Sequence, residues 1–281
     1  SAGMLLASGV FAAVRGSMDE QTFLAWGWRI PFLLSIVLVG VGLAIRLTLP
    51  DPKVFTDARD RGELSKRPVV EVLRTERRNV FLTIGMRIAQ NSLYVLATTF
   101  ALTYLTQAGS GASPNAGLTA VIVASAIGLF STPLWAMLSD RVGRRPVYLG
   151  GAIGSAAFLG IFFLLLDTGS TWLIVLAMVL LVNVFHDAMY GPQAAWYSEL
   201  FSTRVRYSGA SLGYQVGSVV AGTAPLVATA LLLAGGGRPW LIWAFFLVLS
   251  AITITATVLA PETHRAGMAD AGTTSDDRVD A

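Results

Sequence analysis

Ser139-Asp140-Arg141-Val142-Gly143-Arg144-Arg145 places four charges in seven residues between two long apolar stretches, 116–138 and 146–166. Charges this dense between membrane-length segments must lie at a water-facing surface. The three arginines say which one, because cytoplasmic loops carry the excess of Lys and Arg. Gly143 supplies the backbone freedom a tight turn needs. Asp140 is placed to accept from Arg141 or from helix N-terminal amides.

Outward from this turn the chain reads as a series of spans. A span needs about 20 mostly apolar residues. Residues 29–49, 79–107, 116–138, 146–166, 171–190, 208–233 and 240–260 qualify, and the fifth runs on past Gly191-Pro192 to Tyr197. Residues 2–14 are apolar but short, as the end of a further helix would be. The expected domains are residues 1–50, a charged linker over 51–78, a six-helix bundle over 79–260, and a polar, disordered tail over 261–281. Placing the linker, the 139–145 turn, the 199–207 turn and the tail on one side puts 15 of the 20 Lys and Arg there, with Arg15, Arg29 and Arg238 opposite. The fold class is therefore an all-α polytopic membrane protein with its charged loops and C-terminus cytoplasmic.

Composition agrees. Apolar residues make up 54% and charged residues 13%, against about 25% charged in an ordinary soluble domain. Mean hydropathy is +0.64. The net charge of +3 sits in loops rather than in a basic stripe, which argues against nucleic acid. The chain has no Cys and two His. Disulfides, thiol catalysis and Cys-ligated metals are excluded, and no metal site, cofactor or enzyme activity is expected. The start at Ser1 has no charged n-region, so no signal peptide is expected.

With its flanks the turn reads Trp135-Ala136-Met137-Leu138-Ser139-Asp140-Arg141-Val142-Gly143-Arg144-Arg145. This resembles the loop motif of the major facilitator superfamily, G-x-L-(S/A)-D-R-x-G-R-(R/K), with Ala136 where the motif begins with Gly. That family carries the motif after helix 2 and again after helix 8. Four spans follow it here, which implies the second copy and makes 79–107 helix 7. The resemblance then places the chain from within helix 5 to helix 12: a C-terminal six-helix bundle plus the end of the N-terminal half, without helices 1 to 4. It further implies that Asp140, Arg141, Gly143, Arg144 and Arg145 form a conformational latch. The stretch from Tyr190 to Gln215, the stretch from Trp26 to Ser35 and Pro261-Glu262-Thr263 resemble the metabolite:proton symporter branch, whose members carry osmoprotectants, dicarboxylates, tricarboxylates or shikimate.

Ionisable groups within spans are costly and mark cavities. Arg87, Gln90, Asn91, Tyr94 and Thr98 fall at helical spacing, as do Asn183, His186, Asp187 and Tyr190, with Tyr214 and Gln215 on the next span. Arg87, His186 and Asp187 lie roughly 13–16 Å along their helices, and Tyr214 roughly 10 Å, which puts the three stripes near one level. Arg87, Gln90, Asn91, Tyr94, Asn183, Tyr190, Tyr214 and Gln215 are candidate substrate contacts, with Arg87 binding a carboxylate. His186 and Asp187 are candidate proton carriers. The bland alternative pairs Arg87 with Asp187 and leaves His186 a helix contact. Gly191-Pro192 reads as a hinge or a packing kink. Gly209, Gly213, Gly217 and Gly222 allow close helix approach. Trp26, Trp28, Trp135, Trp172, Trp196 and Trp240 read as interface belt residues. Glu199 is expected to pair with Arg204 or Arg206.

The function these features imply is proton-coupled symport of a small carboxylate or zwitterion by alternating access. The partners are that substrate, protons and the bilayer, and the protein is a monomer in the cell inner (plasma) membrane. The alternatives are a proton-coupled exporter of the same superfamily and an inactive fragment lacking helices 1–4. The exporter is disfavoured because Gly3 to Phe11 lacks the Gly-x-x-x-Gly-Pro pattern.

Overall fold

The structure is a computed structural model that describes residues 2–48, 68–107, 111–113 and 115–264. Most of the expected linker, 51–67, and the tail from 265 lie outside the described residues. The chain divides between residues 64 and 65 into two compact units. Among the described residues seven helices are long and apolar enough to cross a membrane, and a shorter apolar helix precedes them.

The first unit contains α1 (Ala2–Gly16), α2 (Glu20–Ala25) and α3 (Ile30–Thr48). Residues 15–28, expected to be an interface stretch, include the short helix α2. Asp19 caps it, accepting from the Thr22 backbone N–H at 3.0 Å. A 3-10 turn, Gly27–Arg29, leads into α3, and Pro31 in the first turn of α3 needs no donor there. None of the side chains of α3 is buried. So apolar a helix requires lipid or another protein around it.

The second unit begins with α4 (Pro68–Thr75), a short amphipathic helix at the end of the stretch read as linker. Six membrane-length helices follow: α5 (Arg77–Thr106), α6 (Ala116–Val142), α7 (Arg144–Asp167), α8 (Thr171–Glu199), α9 (Arg206–Ala234) and α10 (Trp240–Leu259). α5 is the most buried and packs along α9 and α10, while α8 lies against α6 and α7. Gly85 of α5 lets α10 approach, since a Cβ there would lie 2.8 Å from the Ala256 Cβ. The Thr253 hydroxyl of α10 donates to Gly85 O at 2.7 Å and accepts from Ala89 N at 3.0 Å.

The charged turn is tighter than expected. α6 continues through Ser139, Asp140 and Arg141 to Val142, and α7 starts at Arg144, so Gly143 alone separates them. Charge does not stop a helix, and Asp140 pairs with Arg144 one turn on. Gly143 has φ 119° and ψ 151°, a region open almost only to glycine. Gly191-Pro192 does not break α8, which stays helical from Asp187 to Glu199. The widened helical turns lie elsewhere, as π-helical stretches at Leu96–Phe100 of α5 and Leu180–His186 of α8. A Cβ on Gly191 would come within 2.8 Å of Thr132 O and Ala136 N, so that glycine serves backbone approach between α8 and α6.

Candidate functional site

Three helices bring the polar stripes together. Arg87 of α5 is buried, and its guanidinium is met by neutral acceptors. Nη1 donates to Gln90 Oε1 at 2.5 Å and to Gln193 Oε1 at 2.6 Å. Nε donates to Ser218 Oγ at 3.2 Å, and Nη2 reaches Asn91 Oδ1 at 3.4 Å. The Tyr214 ring of α9 covers the group, with Cζ 3.6 Å from its centroid. A cation taken out of water is held here by amide dipoles, a hydroxyl and a π-face. Among the described residues no carboxylate lies within ion-pair reach of Arg87, so the alternative in which Arg87 and Asp187 neutralise each other does not form.

Asp187 pairs instead with its neighbour. Its Oδ1 lies 3.0 Å from His186 Nδ1. Its Oδ2 accepts from Ser131 Oγ of α6 at 2.5 Å and from Asn183 Nδ2 at 3.3 Å. The far nitrogen of His186, Nε2, meets Gln90 Nε2 at 2.5 Å. The imidazole is stacked on Tyr190, centroids 5.5 Å apart, and faces the Tyr94 ring at 4.9 Å. The π-helical stretch that ends at His186 adds a residue to the local turn, as such insertions often do at functional sites.

A cavity of about 590 Å³ opens between α8 and α9. Tyr190, Gln193, Tyr197, Tyr214 and Gln215 line it, and two of these, Gln193 and Tyr214, touch Arg87. Asn183 is placed away from this cavity: it bonds Ala124 O of α6 at 3.0 Å and backs Asp187. Thr98 turns onto its own helix, donating to Tyr94 O at 2.7 Å. Sequence reasoning missed Gln193, Tyr197, Tyr148, Ser131 and Ser218. Gln193 donates to the hydroxyls of Tyr148 and Tyr197, each at 3.1 Å. Carrying the stripe of α8 on from His186 and Tyr190 at helical spacing finds Gln193 and Tyr197, and the same step from Tyr214 finds Ser218. Tyr148 and Ser131 come from neighbouring helices and carry no such signal.

At the end of the bundle the charged turn joins a polar knot. Arg144 pairs with Asp140 and, at 3.0 Å, with Glu199. Glu199 was expected to pair with Arg204 or Arg206; it is taken by Arg144, and Arg204 pairs with Glu71 of α4 at 2.7 Å. The reason is position, since Glu199 ends α8 beside the start of α7. Glu262 accepts from the backbone N–H groups of Arg144 and Arg145 at 2.9 and 2.8 Å, where the α7 dipole favours an anion. Thr263 donates to Glu199, and Arg145 to Ala260 O. Gly143 is required here twice, because a Cβ would also meet Glu262 Oε2 at 2.9 Å. Arg141, grouped with the latch, is exposed and outside these contacts. Two tryptophans are not belt residues. Trp196 is fully buried and donates to Pro261 O at 3.0 Å, and Trp135 donates to Asn183 O at 2.8 Å.

Partial burial pushes the Glu262 carboxyl up, but the N–H groups of Arg145, Arg144, His264 and Thr263 together hold it below its usual 4.5. A lowered native value means the stabilisation is full above 4.5 and is lost as pH falls through the lowered value. Glu262→Gln should therefore lower the unfolding temperature at neutral pH. It should also flatten the acid side of a stability-against-pH curve; an unchanged curve would remove Glu262 from the knot.

The family model described as "Sugar (and other) transporter" matches residues 62–270. The shikimate transporter of Escherichia coli (strain K12) is 33% identical over 260 residues, covering 92% of this chain and 59% of its own length. The glycine betaine/proline/ectoine/pipecolic acid transporter OusA of Dickeya dadantii (strain 3937) is 32% identical over 237 residues, covering 81% of this chain and 47% of its own. The solved structure of the major facilitator superfamily proton:xylose symporter XylE, bound to 6-bromo-6-deoxy-D-glucose, superposes with a TM-score of 0.64 at 18% identity. That match covers 92% of this chain and 61% of that one, and it shows the fold. The chain thus spans about half to three fifths of the length of the curated relatives it matches.

Proposed function

The chain belongs to the sugar (and other) transporter family, within the major facilitator superfamily, and on that premise we propose that it supplies the substrate-binding and proton-coupling bundle of a symporter for a small carboxylate or zwitterion. The family is one of transporters, not enzymes, and the chain is a multi-pass membrane protein. The observation that carries the reading is Arg87, a buried guanidinium satisfied by neutral groups, two of which, Gln193 and Tyr214, line a cavity and separate it from the charge. A carboxylate entering that cavity gains a charge-assisted contact without displacing a resident anion. Asp187 and His186 sit one amide away and serve as the proton carriers. α5 to α10 act as one bundle, and residues up to α3 belong to the other half of an alternating-access transporter. The Lys and Arg distribution supports placing the Gly143 turn and the C-terminus in the cytoplasm.

The test is uptake into proteoliposomes, made with this chain and with the longest protein its reading frame encodes. Shikimate, glycine betaine and xylose are offered under an imposed proton gradient. The expected result is gradient-driven accumulation of shikimate or betaine. Asp187→Asn should lower it at least about tenfold while substrate exchange across the membrane persists. Transport of xylose alone, or full accumulation in Asp187→Asn, would overturn the reading.

A further inference from the structure

Gln90 sits between the two charged parts of the site and touches both. Its Oε1 accepts from Arg87 Nη1 at 2.5 Å and, at 3.4 Å, from Gln193 Nε2. Its Nε2 faces His186 Nε2 at 2.5 Å. The orientation of this amide is dictated by charge. A guanidinium donates only, so the oxygen must point at Arg87 and the NH2 group must point at the imidazole. His186 Nε2 is then an acceptor, and its one proton sits on Nδ1, donated to Asp187 Oδ1 at 3.0 Å.

A second proton on His186 breaks this arrangement. It lands on Nε2, where Gln90 already presents a donor, and two donors cannot share a 2.5 Å contact. Rotation of the amide by half a turn resolves the conflict at His186 by offering Oε1 to the new N–H. The same rotation turns the NH2 group on Arg87 Nη1, which loses an acceptor and gains a repulsive neighbour. Arg87 retains Gln193 and Ser218, while one Nη1 N–H is left without an acceptor, directly behind the cavity residues Gln193 and Tyr214.

We propose that Gln90 is the positioning residue that couples protonation of His186 to the availability of Arg87 for an anionic substrate, through a half-turn of its side-chain amide. The coupling is reciprocal by linkage: a carboxylate that draws Arg87 away frees the amide and eases proton uptake at His186. Proton and substrate therefore load together, the order a symporter requires. The relay rests on the proposed symport for its use, whereas its geometry stands on the contacts alone. The ionisable groups facing it are Arg87 and Tyr94 from α5, Tyr148 from α7, Asp187, Tyr190 and Tyr197 from α8, and Tyr214 from α9. α6 contributes the neutral Ser131, and α10 reaches α5 through the neutral Thr253.

The chain has only two histidines, so 15N-histidine NMR, with His264→Gln for assignment, reads His186 directly. In the neutral ring the expected signal is the tautomer protonated on Nδ1; the Nε2–H tautomer would overturn the relay, with no variant needed. The second arm measures shikimate binding as the carboxylate probe, at a pH where the spectra show His186 neutral and at one where it carries both protons. Affinity should rise about tenfold with the second proton in the unmodified protein. In Gln90→Leu it should change less than about twofold, although the spectra still show the proton arriving. Gln90→Met serves if the leucine variant misfolds. A tenfold rise that survives in these variants overturns the relay. Failure of shikimate to bind the unmodified protein counts against the proposed function instead, and the tautomer then decides the relay alone.

Discussion

Arg87→Met is expected to lower carboxylate uptake at least about 100-fold, roughly 2.7 kcal/mol of lost interaction with the anion. Arg87 lies directly behind Gln193 and Tyr214 of the cavity wall, bonded to one and stacked on the other. A hydrogen bond to a charged group is worth about 1.5–3 kcal/mol, and a carboxylate on a guanidinium makes two. Methionine matches the length and the apolar stem, so the fold loses little packing. It leaves the oxygens of Gln90 and Gln193 facing one another, which costs stability but does not bring in a charge. Arg87→Lys separates the two effects, because it restores the charge without the planar fork and should recover uptake only in part. Uptake kinetics and thermal unfolding should be measured on the same preparations. Uptake within about twofold of the unmodified protein in Arg87→Met would remove Arg87 from the binding role.

Gly217→Val is expected to damage both the fold and the site. Even a Cβ there would lie 2.5 Å from the Cβ of Arg87, 2.6 Å from its Cγ and 3.2 Å from Ile84 O. Backbone cannot yield, so α9 must retreat from α5. The retreat pulls Tyr214 and Ser218 off the guanidinium, one by a ring contact and the other by a hydrogen bond. Overpacking of this kind costs about 1–3 kcal/mol. A drop of several degrees in unfolding temperature is expected, together with loss of uptake. Gly222→Val is the control, since a Cβ there meets nothing within 4 Å, and it should unfold and transport as the unmodified protein does. Equal behaviour of the two variants would show that α9 is free to shift without disturbing the site.

This pair of glycines shows where reading the sequence stops. Gly209, Gly213, Gly217 and Gly222 look alike as a small-residue series, yet only the helix positions tell which of them has backbone or a side chain opposite. The polar stripes were legible further. Arg87, Gln90, Asn91 and Tyr94 recur at the helical period, and burying them together follows from the cost of leaving them in lipid. The pairing within the stripes was not legible. Arg87 and Asp187 carry opposite charges at one level, and sequence reasoning allowed them to neutralise each other. The structure instead interposes Gln90, and it turns Asp187 toward Ser131 of α6. The π-helical stretch ending at His186 contributes to that turn, and nothing in Leu180 to His186 announces it.

The chain by itself determined that it crosses a membrane, where its spans lie, and which of its loops are Arg-rich. Those conclusions rest on hydropathy and charge, which act on every residue through the solvent and so can be summed along a sequence. Tertiary structure alone decided that Glu199 goes to Arg144 rather than to its near neighbours, that Trp196 is core, and that Tyr148 holds the Gln193 amide that meets Arg87. These are choices among partners of similar chemistry on different helices. Distances of 2.5–3.5 Å make them, and helix packing, not local pattern, sets those distances.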